Sequence, residues 1–317
     1  MRQEGKKKRK KEEKRESSAE QVMLQERKDS REKAEKGRQK ERYYLVDSFR
    51  GFALVNMVLY HFLYDVFIIY GKNPGWLESI WTFVWQQGIC WSFIGAAGFS
   101  WRFGRKNNLK RGLLLNFLGL AITGITWFFM PEETIFFGIL NFMGCAVLLT
   151  IPVSHILERI PASAGLAGCM ALFYVFYPVS AGFLKAGPFF WQLPEKLYSG
   201  ALTILGMPGP GFYSSDYFPV LPWIFLFWAG YFLYPLCTRE EKLRSFFHLK
   251  VPGLAAIGRR TLWVYVLHQP VLMGICMMVR DTGAPVCGVL QRSRGTAGEK
   301  GAAAFGFVLY KARGGRW

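Results

Sequence analysis

The sequence predicts an all-α fold: a polytopic membrane bundle of about seven transmembrane helices with a cytoplasmic N-terminus. Three observations predict it. Hydrophobic residues make up 51% of the 317 and aromatic residues 17%, with 28 Phe and 11 Trp, which is too apolar for an ordinary soluble domain. The apolar residues gather in runs about as long as a bilayer is thick. The formal charge of +18 is concentrated ahead of the first run and in alternate connections between runs.

Residues 1–42 carry basic runs such as Lys6-Lys7-Lys8-Arg9-Lys10-Lys11, interrupted by Glu and nearly free of apolar residues. Such a segment cannot bury a core, and it reads as a disordered cytoplasmic tail that fixes topology and touches anionic lipid. No aromatic is interleaved with the charges, so nucleic acid is not expected as a partner. Spans are expected at about 44–70, 80–101, 112–130, 134–156, 162–184, 217–237 and 256–279. Residues 43–280 form the membrane domain. Within it, 185–216 holds Pro188, Pro194, Pro208 and Pro210 and reads as a loop with a re-entrant piece. Residues 281–317 turn abruptly Gly-, Arg- and Ala-rich and read as a tail outside the fold.

The connections agree on one orientation. Arg102, Arg105, Lys106, Lys110 and Arg111 fall in one loop expected inside and Arg239, Lys242, Arg244 and Lys250 in another, while the inner 157–161 turn, with Glu158 and Arg159, is uninformative. Glu132 and Glu133 fall in an outer connection without Lys or Arg. That is the distribution of the positive-inside rule. The six Cys show no paired spacing and no His at ligand spacing, so neither a metal site nor a disulfide framework is expected.

The first span opens with Asp47-Ser48-Phe49-Arg50-Gly51 and reaches His61. Ionisable groups at membrane depth are costly and mark function by default. At 100° per residue, Arg50 and His61 lie within about 20° of one helix face and about 16 Å apart along the axis. Asp47 precedes Arg50 by one turn.

That stretch, continuing through Asn56-Met57-Val58 to His61, resembles the first helix of the heparan-α-glucosaminide N-acetyltransferase catalytic domain and its bacterial relatives. Further stretches resemble the same family in the same order. They are Trp91-Ser92-Phe93-Ile94 with Gly98, Leu109-Lys110-Arg111-Gly112, Phe137-Gly138-Ile139-Leu140 with Gly144, Tyr217 to Trp223, and Arg260 to Tyr265 with Leu267-His268-Gln269-Pro270. Two positions depart from the pattern: Asn141 stands where such proteins often carry His, and Ala96-Ala97 lacks the Ser common before Gly98. The resemblance implies transfer of an acetyl or similar acyl group from acetyl-CoA or another acyl-CoA, through the membrane, to a sugar or glycan acceptor. It also implies an integral protein of the bacterial cytoplasmic membrane.

The residues fit that chemistry. His61 is the candidate general base or acyl carrier, because imidazole titrates near neutrality. Asp65, four residues on, is placed to hold its ring, and Asp47 to orient Arg50. Arg50 suits a CoA phosphate, or alternatively an ion pair anchoring the helix at the membrane edge. Lys110 and Arg111 could add phosphate contacts, although the topology signal alone explains them. His268 and Gln269, ahead of Pro270, suit a substrate pocket or a helix–helix hydrogen bond. Asn141, Gln86 and Gln87 are further acceptor-binding candidates. Two other classes compete: a proton-coupled membrane transporter using the same buried ionisable groups, and a non-catalytic membrane scaffold. A homo-oligomer is left open.

Overall fold

The computed structural model describes residues 43–69, 74–241 and 246–281, with Met23, Gln25–Arg27 and Ser30 ahead of them. The chain divides into two units, Met1–Tyr44 and Leu45–Trp317. In the first, the five residues described before Tyr43 are helical. Most of the expected tail at 1–42, and that at 281–317 beyond Asp281, lie outside the described residues.

The second unit is built on helices: α1 (Tyr44–Tyr64), α2 (Ile80–Trp101), α3 (Asn108–Phe129), α4 (Ile139–Leu157), α5 (Ala162–Phe176), α6 (Val220–Thr238), α7 (Pro252–Arg259) and α8 (Thr261–Asp281). Among the described residues four stretches are long and apolar enough to cross a membrane: Arg105–Phe129, Ile139–Leu157, Ala162–Ala181 and Val220–Thr238. Their outer surfaces suit lipid, with Phe117 68%, Leu120 64% and Trp127 73% exposed on α3. Water would penalise so much contiguous apolar surface. Helices α1, α2 and α8 have 21 or 22 residues, enough for a bilayer at 1.5 Å per residue. Asp47, Arg50 and His61 in α1, Gln86 and Gln87 in α2, and His268 and Gln269 in α8 make them more polar.

Helix α6 is the core element, with Trp223, Ile224, Phe227 and Tyr231 buried against α2 and α5. Small residues set its approach to α2. A Cβ on Gly98 would stand 1.9 Å from the Phe227 carbonyl oxygen, and one on Gly230 2.2 Å from that of Gly95. Backbones this close require glycine at both crossings.

Three expected boundaries move. The apolar run at 162–184 is not one helix: α5 stops at Phe176, ahead of Pro178, and the chain turns into an antiparallel hairpin of β1 (Phe183–Ala186) and β2 (Phe189–Gln192). A short extended run of Phe and Trp has the same composition as the end of a span, so apolarity alone merges them. The expected loop at 185–216 contains that hairpin's second strand and two 3-10 turns, Glu195–Tyr198 and Thr203–Leu205. The run expected at 256–279 divides between α7, which begins at Pro252, and α8, with Arg260 at the joint. The all-α expectation therefore holds for the bundle and gains a two-stranded hairpin.

Candidate active site

The Asp47-to-Gly51 stretch is first of all a docking surface. The Ser48 hydroxyl accepts the Val251 N–H at 3.2 Å. A Cβ on Gly51 would lie 2.0 Å from the Leu254 carbonyl oxygen, and one on Gly258 1.8 Å from that of Asp47. The start of α1 thus takes α7 at backbone contact. Arg50 stitches α1 to α2: its Nη1 lies 3.3 Å from Asp47 Oδ1, and its Nη2 donates to the Ala96 carbonyl at 3.3 Å and to the Ser100 hydroxyl. The ion pair expected between Asp47 and Arg50 is formed, with both side chains largely buried.

Toward the other end of the bundle lies a cavity of about 1980 Å³. His61, Gln86, Asn141, His268 and Gln269 line it, alongside Tyr60, Tyr64 and Tyr265. Asp47, Arg50, Asp65, Gln87, Lys110 and Arg111 are not among its lining residues. The five candidates that meet come from four helices, so the bundle, not local sequence, assembles the site.

The His61 and His268 rings lie 4.9 Å apart, centroid to centroid, inclined at 59°. His61 also meets the Tyr60 ring edge-on at 5.8 Å, and Tyr60 packs against Trp76 and Trp85. Trp85 is itself tied to α1 by a 3.1 Å bond from its Nε1 to Asn56 Oδ1. His268 Nδ1 lies 2.6 Å from the Tyr265 carbonyl oxygen. A carbonyl only accepts, so Nδ1 carries the proton and the neutral ring's Nε2 is a lone-pair acceptor. That Nε2 is buried without a partner.

Asp65 does not hold the His61 ring. It is 1% exposed, and its Oδ1 accepts from Gln269 Nε2 at 3.0 Å. The reason is local: α1 passes into a π-helical turn over Asp65–Ile69, so the α-helical i, i+4 relation fails where it was needed. Asp65 therefore ties the end of α1 to α8, and through Gln269 fixes the residue beside His268. Gln87 turns its Oε1 to Trp91 Nε1 at 3.2 Å instead of lining the cavity. Asn141 is 4% exposed and fills the space over Gly119, where a Cβ would lie 2.4 Å from its Oδ1.

The far rim is built largely by residues from the connections between helices. Ser214 accepts the Phe136 N–H at 2.9 Å, and Asp216 Oδ2 accepts the Ile139 N–H at 3.1 Å. A carboxylate thus caps the N-terminus of α4, where the helix dipole favours it. Burial pushes the Asp216 carboxyl up to about 6, against the pull of that N–H. The Ser215 hydroxyl donates to Glu133 Oε2 at 2.8 Å. On the hairpin, Phe183 pairs with Gln192 and Lys185 with Phe190, so these four share one face, and Phe183, Phe190 and Gln192 line the cavity. Leu184, Ala186, Phe189 and Trp191 make the opposite face wholly apolar.

No curated protein and no solved structure matches the chain. A family model does, that of the catalytic region of heparan-alpha-glucosaminide N-acetyltransferase, over residues 42–270. The match includes α1 with His61, every described lining residue except Met273, and α8 through His268, Gln269 and Pro270. The chain belongs to the heparan-alpha-glucosaminide N-acetyltransferase catalytic family.

Proposed function

We propose that this chain is an integral membrane acetyltransferase that moves an acetyl group from acetyl-CoA to a sugar reaching the cavity from the side opposite the basic loops. The observation that carries the reading is the His61–His268 pair in the wall of a 1980 Å³ cavity, in a chain of this family. A cavity for one drug-sized ligand is about 300–1,000 Å³, so this one has room for two substrates at once.

In the proposed reaction the acceptor's amine or hydroxyl attacks the thioester carbonyl. A C–N or C–O bond forms, the C–S bond breaks, and CoA leaves as the thiol. His61 takes the proton from the acceptor and returns it to sulfur. No side-chain hydrogen bond engages His61 among the described residues, so its lone pair is not committed elsewhere. His268, fixed by Tyr265 and flanked by the Asp65–Gln269 bond, accepts a second donor from the sugar. Transfer through an acetyl-imidazole on His61 uses the same geometry and stays within this reading.

Among the described residues the donor's anionic end finds no guanidinium or ammonium in the cavity lining. Arg50, Lys110 and Arg111 belong to the opposite end, and in this reading the phosphates stay there while the pantetheine arm reaches His61. Seven spans with the N-terminus inside would put that basic end in the cytoplasm.

The test is direct. Full-length protein in nanodiscs is given acetyl-labelled CoA and a panel of amino and neutral sugars, and products are read by mass spectrometry. An acetylated sugar formed only with the protein supports the reading. Thioester consumption without a sugar product, or none at all, opposes it.

A further inference from the structure

Helix α5 fixes the depth of the β1–β2 hairpin that follows it. The α4–α5 turn is held at the basic end of the bundle, where Arg105 Nη1 donates to Glu158 Oε1 at 2.9 Å. From Ala162 the apolar stretch runs 20 residues to Ala181, about 30 Å at helical rise, which is the thickness of the hydrocarbon core. Gly182, with a φ of 88°, then turns the chain. Strand β1 packs back against α5 instead of leading away from it. The Leu193 N–H, bonded to the Gly182 carbonyl at 2.8 Å, closes the base of the hairpin. The hairpin therefore stands at the membrane boundary opposite the basic loops.

Its apolar face is made for a surface with two characters. Leu184, Ala186, Phe189 and Trp191 share that face by strand alternation, behind the Phe183, Phe190 and Gln192 that line the cavity. Phe189 is 65% and Trp191 52% exposed, and their rings stack with centroids 6.1 Å apart at 27°. Helix α5, on which β1 packs, exposes Met170, Leu172 and Tyr174. A sheet of two strands also leaves a backbone edge open on each side. Open edges are excluded from the hydrocarbon core, because their N–H and C=O groups find no partner there. The aromatic plate needs apolar surroundings, and the edges need water or headgroups. The bilayer interface supplies both, and aromatic rings collect at that level.

We infer that Leu184, Ala186, Phe189 and Trp191 form a docking surface for phospholipid, with Phe189 and Trp191 inserted at the headgroup–acyl boundary on the side opposite the basic loops. The occupant is the bilayer and not a second protein. Four side chains, one of them Ala, fall far short of the roughly 20–30 residues a side in a stable protein interface, whereas a lipid surface continues directly from α5. Lipid contact at this face is independent of the acetyl transfer proposed above. It seats the Phe183, Phe190 and Gln192 wall of the cavity at headgroup level.

The experiment uses the full chain in nanodiscs of phosphatidylcholine and phosphatidylglycerol. Acetylphenylalanine is introduced at position 189, 191 or 185 and coupled to a ketone-reactive nitroxide, which leaves the native Cys untouched. Power-saturation EPR then compares collisions with oxygen, which concentrates in lipid, and with a water-soluble nickel chelate. The oxygen-to-nickel ratio should be several-fold higher at 189 and 191 than at 185, which lies on the other face. The labels at 189 and 191 should sit about 5–10 Å into the interface. A ratio at 189 and 191 no higher than at 185 overturns the docking. Benzoylphenylalanine at 189 or 191, irradiated in the same nanodiscs, should give phospholipid adducts by mass spectrometry. Crosslinks to a second copy of the chain in their place, or no lipid adduct, overturn it as well. The two positions share one face, so either serves if a label at the other lowers the unfolding temperature.

Discussion

His61 and His268, from the first and last long helices, face each other with ring centroids 4.9 Å apart. Nothing local in the sequence makes that pair; the closure of α8 onto α1, with Gln269 bonded to Asp65, does. If the two imidazoles act on one acceptor, each single alanine variant should lower kcat/KM for acetyl transfer by about 10² or more. The double variant should cost much less than the product of the two, because groups acting as a unit are not additive. Steady-state kinetics of the four proteins checks this; strictly multiplicative losses would separate the two rings functionally.

Arg50 joins α1 to α2 through Ala96 and Ser100 while pairing with Asp47. Arg50→Lys keeps the charge but cannot reach three partners with a planar fork. The expected loss is about 1–3 kcal/mol of stability. Arg50→Ala should cost more, because it removes a positive charge paired with a largely buried carboxylate along with the bonds to α2. Thermal unfolding in a mild detergent, compared at constant expression, reads both.

Gly258→Ala would drive a Cβ to 1.8 Å from the Asp47 carbonyl oxygen, whereas Gly253, on the same helix, has nothing within 4 Å of a built Cβ. The first substitution should therefore push α7 off α1 and destabilise by about 1–3 kcal/mol or more. The second should be neutral or slightly stabilising. Unfolding temperatures of the two variants, measured side by side, test whether α7 docks by this contact.

Asp216 gives a pH dependence with a definite sign. Its carboxyl is pushed from 3.8 up to about 6 in the fold. Between those values the folded state binds more protons than the unfolded one, so this group's contribution to stability falls as pH rises through that window. The loss is complete above about pH 6. Asp216→Asn keeps an acceptor for the Ile139 N–H and removes the titration. The wild type should therefore lose stability relative to this variant as pH is raised from 4 to 6, with the difference constant above. Unfolding temperatures across pH 4–7 check it.

The helices were legible because a spanning run is long and continuously apolar, a signal that survives ignorance of packing. Phe183 to Gln192 was not, because a hairpin with one apolar face has the composition of a helix end. The family resemblance was carried by several stretches in a fixed order, all inside the family match, the first of them Asp47 to His61. Its first five residues also dock a helix, a role visible only once Leu254 and Gly258 are in place. His61, His268 and Gln269 stood out as polar groups in apolar runs. The partnership of Asp65 was misjudged because a π-turn has no sequence signature as plain as i, i+4 spacing.

The most direct measurement of the central claim is acetyl transfer from labelled acetyl-CoA to sugar by the His61→Ala protein, reconstituted at the same level as the wild type and matched to it in unfolding temperature. The account predicts that transfer falls to background while the protein stays folded in the membrane. Transfer at the wild-type rate would contradict it and remove His61 from the chemistry.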